Sequence, residues 1–227
     1  MHRGYHENNI RLFHKLYVSK IKIPLITRII ISLNCFIFII QFFTGENGRQ
    51  FGDRFDEFGV LIPYLVLDGD WWRIITVSFL HANIAHLAIN MLVLYCFGGF
   101  IEPVFGRWRL VITYLFCTLG ASLIAILISF QQGNDGTVYL GASGSIMGLM
   151  GVLFALFLDG LKRSKNKKAL FNYLINGIQL IMFNLVLQTC IDLYFGYGIV
   201  GHIGGFLAGL MIATYYLKCD CKFKYRK

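Results

Sequence analysis

Six stretches of this chain are apolar for long enough to cross a bilayer: 24–43, 82–100, 109–130, 143–160, 170–190 and 199–217. A transmembrane helix needs about 20 predominantly apolar residues. Inside lipid the backbone must satisfy its own hydrogen bonds, which leaves helices or closed barrels. Runs of this length predict an all-α membrane protein of six spans. The fifth stretch is interrupted by Asn172, Asn176, Gln179, Asn184 and Gln188, amides expected to face other helices or a wet cavity rather than lipid. Only 15% of residues are charged and the mean hydropathy is +0.62, outside the range of an ordinary soluble domain.

Charge sets the orientation. The segment up to Arg28 holds six Lys or Arg, the 101–109 loop two, the 160–169 loop five and the C-terminal tail five, eighteen of the 21 in all. With six spans these segments fall on one face, which the positive-inside bias assigns to the cytoplasm. Both termini are then cytoplasmic: a basic tail over 1–23, a six-span domain over 24–217 and a second basic tail over 218–227. The net charge of +9 is accounted for by topology and anionic lipid, and nucleic acid is not expected as a partner. No small-residue cleavage site follows a short apolar core near the N-terminus, so the first run is expected to stay as a helix. Cys35, Cys96, Cys117 and Cys190 lie in apolar runs, where free cysteine behaves as a small hydrophobe. Cys219 and Cys221 read as cytosolic thiols, with acylation the alternative.

Parity then brings distant polar groups together. Spans two, four and six all start at the outer face, so His81, His86 and Asn90, Ser143, and His202 share one layer. Ionisable groups at membrane depth are functional candidates by default, and a serine with an imidazole has the chemistry of a nucleophile and its general base. Taken singly, Ser143 reads as a helix cap and His202 as a structural group. Glycines argue for the pair: Gly144, Gly148 and Gly151 in span four, and Gly205 and Gly209 in span six, let two backbones approach closely. Such packing brings Ser143 and His202 within hydrogen-bond reach. Ser145 is a competing nucleophile, but two residues turn a helix by about 200°, so it should face away. His86 and Asn90, four apart, share a helix face and offer N–H donors to an oxyanion. His81 lies about 140° round the helix if that stretch is helical, and should then point elsewhere; it is expected to order the outer loop or bind a carboxylate or water, and receives no catalytic role. No metal and no cofactor is expected, since no Cys, Asp or Glu completes a ligand set.

Glu102 reads as a loop residue paired with Arg107 or Arg109. The 44–81 segment is too long for a plain connector. With Asp70-Trp71-Trp72-Arg73 it is expected to fold half-buried on the membrane surface, where tryptophan is favoured.

Trp72-Arg73, His81, His86, Asn90, Gly141-Ala142-Ser143-Gly144 and His202-Ile203-Gly204-Gly205, in that order, resemble the rhomboid intramembrane serine proteases. The resemblance covers about residues 65–215. It implies a six-transmembrane-helix rhomboid bundle whose long first outer loop lies partly in the membrane. It implies a Ser–His dyad without a third acid, Ser143 as nucleophile and His202 as general base. His86, Asn90 and the backbone N–H of Ser143 would bind the oxyanion. The implied substrates are single-span membrane proteins, cut within or near the span after a small residue and admitted past span five. Fold-level analogy suggests a bacterial inner membrane, with the site open to the extracytoplasmic side. Met147 stands where the family commonly has an aromatic residue. Two rivals differ in class: a catalytically inactive rhomboid-like protein that binds membrane clients, and a small transporter, which would need polar residues deep in the bundle's inner half.

Overall fold

The computed structural model describes residues 24–44, 59–163 and 200–224. Five of its helices are long and apolar enough to cross a membrane: α1 (Leu25–Thr44), α4 (Ile84–Phe105), α5 (Arg107–Gln131), α6 (Ser143–Arg163) and α7 (Val200–Lys224). They correspond to five of the six expected spans, and the protein is an integral multi-pass membrane protein. The stretch 170–190 lies outside the described residues. Two short helices, α2 (Pro63–Leu67) and α3 (Arg73–Thr76), followed by a 3-10 turn at Val77–Phe79, fill the segment before α4. Among the described residues there is no strand, only one antiparallel bridge between Leu61 and Tyr139.

The core lies where α4, α5, α6 and α7 meet, around Leu94, Phe97, Leu110, Tyr114, Ile146 and Leu149, while Phe36, Leu92, Leu123 and Met211 face outward. Outward apolar groups are what a lipid-facing surface requires. Between the inner helices the contact is backbone on backbone. A side chain at Gly205 would strike the Gly144 carbonyl, one at Gly209 the Gly148 carbonyl, and one at Gly151 the Phe206 carbonyl. On its other flank Gly144 meets Ala121 of α5 and Gly148 meets Cys117. Lipid offers no hydrophobic force between helices, so close van der Waals approach of this kind is what joins them. The glycine spacing therefore had the consequence expected of it.

Glu102 corrects the sequence reading. It sits not in a loop but within α4, which runs on through Pro103 to Phe105 and stops at Gly106, where φ is +91°. Its buried carboxylate faces the start of α1, accepting from Ile26 N (3.0 Å), Thr27 N (2.8 Å) and Thr27 Oγ1 (2.9 Å). The first N–H groups of a helix have no partner of their own, and negative charge is favoured at that end. A carboxylate needing donors and a helix end needing acceptors satisfy each other. Arg109, offered as its partner, instead stacks over the Tyr216 ring, 4.9 Å from the centroid. Glu102→Ala is expected to destabilise the fold by about 2–4 kcal/mol, because it strands buried donors. Reversible unfolding in mixed micelles measures this. Glu102→Gln, which keeps one acceptor oxygen, should recover part of the loss.

The segment leading to α4 is pinned from several sides. Arg73 is buried; its Nε and Nη2 both reach Asp70 Oδ2 at 2.9 Å, and Nη1 donates to the Val60 carbonyl. Ser122 of α5 donates to the Ile74 carbonyl, and the Tyr114 hydroxyl to that of Ser78. Trp71 and Leu67 stay exposed, as a surface lying on lipid requires. Residues 45–58, the rest of the expected surface segment, lie outside the described residues.

Candidate active site

Ser143 is the first residue of α6 and His202 lies in the first turn of α7. The glycine seam between these helices lets the two meet: His202 Nε2 stands 2.8 Å from Ser143 Oγ, and both residues are buried. Fifty-nine positions of chain separate them. The spacing is that of a good hydrogen bond to a hydroxyl.

The chain reaches Ser143 through Gly141, whose φ of +117° is one that side-chain-bearing residues rarely adopt. Space makes the same demand. A Cβ at Gly141 would lie 2.9 Å from His86 Nε2 and 3.7 Å from Asn90 Nδ2. The tips of His86 and Asn90, four apart on α4, thus converge on the turn that presents the serine. Gly141 N donates to the Val77 carbonyl at 2.9 Å, and the Leu61–Tyr139 bridge ties the same strand of chain to the surface segment. Asn83 caps α4 by accepting from His86 N at 2.8 Å. A cavity of about 50 Å³ opens beside Ser143 and His202, lined by both with Ser78, His86, Thr118, Ser122, Tyr139 and Ser145. A space of this size, with hydroxyls and an imidazole among its lining groups, has room for water.

Ser145 takes a different partner, Thr118 Oγ1 at 2.6 Å, in keeping with its expected rotation away from Ser143. His81 departs from expectation. The chain is extended at Leu80 and α4 starts only at Ile84, so helical angles do not apply to it. Its ring packs edge-on against His86, centroids 5.2 Å apart, and its Nε2 lies 3.5 Å from Ala142 N. Gln41 of α1, unremarked in the sequence, holds the backbone of His81 at both ends: His81 N donates to Oε1 at 3.1 Å and Nε2 donates to His81 O at 3.4 Å. A lone amide near the outer end of an apolar run was the one available signal. Met147 is buried one turn beyond Ser143.

Burial, reinforced by the neighbouring His86, pushes the His81 pKa from 6.5 down to about 3. The folded protein thus refuses a proton that the unfolded chain accepts below 6.5. Stability should therefore fall as pH drops from about 6.5 toward 3, with a slope of at most about 1.4 kcal/mol per unit from this group. Thermal midpoints between pH 7.5 and 5 test this, and His81→Gln should make the decline shallower. An unchanged slope would exclude His81 as its source.

The rhomboid domain model matches residues 68–219, two thirds of the chain. The chain belongs to the rhomboid family. The rhomboid protease GluP of Bacillus subtilis is 29% identical over 196 residues, 84% of this chain and 34% of that protein. The rhomboid protease AarA of Providencia stuartii is 28% identical over 216 residues, 88% of this chain and 74% of that protein. RHOMBOID-like protein 5 of Arabidopsis thaliana is 31% identical over 156 residues, 69% of this chain and 47% of that protein. The chain thus spans about a third of GluP, three quarters of AarA and under half of the plant rhomboid. Two of these relatives are named as rhomboid proteases.

Proposed function

We propose that this rhomboid is an intramembrane serine endopeptidase that cuts single-span membrane proteins within or near their span. The observation that carries the reading is the 2.8 Å contact between Ser143 Oγ and His202 Nε2. In this reading neutral His202 accepts the hydroxyl proton as Ser143 Oγ attacks the scissile carbonyl. His202, now protonated, gives that proton to the leaving amine, and an acyl-enzyme remains. Water then attacks the ester with His202 again as base, releasing the acid and restoring the serine. His86, Asn90 and the Ser143 N–H receive the charge that develops on the carbonyl oxygen. In this reading the close packing of α6 on α7 holds the imidazole beside Ser143.

The distribution of basic residues supports both termini in the cytoplasm and a site open to the extracytoplasmic side. The stretch 170–190 supplies a sixth span in this reading, and its amides suit a loosely packed entry for substrate. Cysteine-accessibility mapping of the N-terminal tail, the 131–142 loop and the C-terminal tail tests the orientation. The bacterial inner membrane is the proposed location. The catalytic reading is tested with purified protein and a panel of single-span reporters, the cut positions being mapped by mass. Cleavage by wild type within or near the span, lost in Ser143→Ala and in His202→Ala, is the expected result. A non-catalytic client-binding protein would leave every reporter intact and Ser143 unlabelled by a fluorophosphonate.

A further inference from the structure

One turn of α6 holds a second hydroxyl that the proposed chemistry does not use. Ser145 Oγ and Thr118 Oγ1 of α5 lie 2.6 Å apart, both buried. Thr118 Oγ1 also donates to the Tyr114 carbonyl at 2.9 Å, which commits its proton. With that proton on the carbonyl, Ser145 is the donor to Thr118, although the geometry of the pair fits either direction. Around it α5 and α6 meet through small groups: Gly144 against Ala121 and Gly148 against Cys117. Contacts of that kind hold two helices close but give little resistance to rotation about their axes. A directional hydrogen bond does resist it.

Rotation matters here because Ser143 begins the same helix. Backbone atoms stand about 2.3 Å from a helix axis and side-chain oxygens farther out, so a turn of roughly 15–20° carries Ser143 Oγ about 1 Å. That shift is enough to break a bond of 2.8 Å to His202. Misplacing a reacting group by about 1 Å can cost about 10²-fold in rate. We propose that the Thr118–Ser145 hydroxyl pair fixes the rotation of α6, and thereby the position of Ser143 Oγ against His202. Thr118 and Ser145 are then positioning residues for hydrolysis, a role that rests on the reading of Ser143 and His202 as the dyad.

The test compares Thr118→Val, which keeps the shape, Ser145→Ala, their double variant and Thr118→Ser, which keeps the hydroxyl. Each full-length protein is purified in micelles. For each, kcat and KM on a single-span reporter, the rate of fluorophosphonate labelling at Ser143 and the thermal midpoint are measured. Each single loss should lower kcat about tenfold with KM within about twofold, and slow labelling in proportion. The double variant should be no slower than the slower single, because both remove one shared contact. Thr118→Ser should return to within about threefold of wild type. Should Ser145→Ala fail to fold, Thr118→Val against Thr118→Ser decides the matter alone. Wild-type kcat and labelling in the single variants, with only the thermal midpoint lowered, would overturn the proposal, as would independent, additive losses. If Ser143→Ala is inert while Thr118→Val and Ser145→Ala match wild type, the dyad stands and only the positioning role fails. Activity surviving in Ser143→Ala defeats the dyad itself.

Discussion

Ser143→Ala and His202→Ala are each expected to lower cleavage of a single-span reporter by at least about 10⁴-fold, and the double variant to be no worse than either alone. A hydroxyl is a poor nucleophile until a base takes its proton, and the base is useless without the hydroxyl. Removing one member of such a unit therefore costs nearly as much as removing both. In the proposed mechanism the two side chains, 2.8 Å apart, act as a unit of this kind. Ser145→Ala is the control, since its oxygen bonds Thr118 and not the histidine. It should stay within about tenfold of wild type, the smaller loss expected from altered positioning. Labelling with a fluorophosphonate, followed by peptide mass, reads the nucleophile directly. An adduct at Ser145, or more than about 1% residual cleavage in Ser143→Ala, would remove Ser143 from its role.

His86→Ala and Asn90→Ala should each lower kcat by about 10²–10³-fold with little change in KM, equivalent to about 2.7–4 kcal/mol of transition-state stabilisation. The tips of both side chains lie against Gly141, two residues before Ser143; in the proposed mechanism the oxygen of the attacked carbonyl acquires its charge beside them. Donors aimed at that point gain strength only as the charge develops, so the loss appears in kcat rather than in binding. Steady-state kinetics on one reporter, with folded protein quantified independently, separates the two parameters. Losses confined to KM would mean that these side chains contact substrate without stabilising the tetrahedral intermediate.

The extent to which the sequence anticipated the structure follows from how far each residue's partner lies from it. Helices α1, α5 and α7 begin within a few residues of their expected positions, because length and apolarity are local properties. Helix α4 ran past its expected end at residue 100 because Glu102 is satisfied by Ile26 and Thr27, some 75 positions away. Nothing near Glu102 announces those partners; the nearby arginines were the obvious choice and the wrong one. His81 was misplaced for a related reason. Its orientation depends on Asn83 capping α4 and Gln41 gripping its backbone, so the condition on which the helical angle rested, a helix through residue 81, is not met. Thr118 was invisible because a threonine in an apolar helix reads the same whether its hydroxyl serves only its own backbone or also a neighbouring helix.

By itself the sequence determined that this is a helical membrane protein, that its serine and histidine lie at one depth, and that glycines spaced four apart would bring their helices into contact. Those conclusions rest on periodicity, length and charge, which act through the chain's own covalent order and through the bilayer. Only the tertiary structure decided that Ser143 and His202 are in hydrogen-bonding contact, that His86 and Asn90 close on Gly141, and that Ser145 bonds Thr118. A hydrogen bond depends on distances of tenths of an ångström and on the rotation of each helix about its axis, and packing among several helices at once sets both.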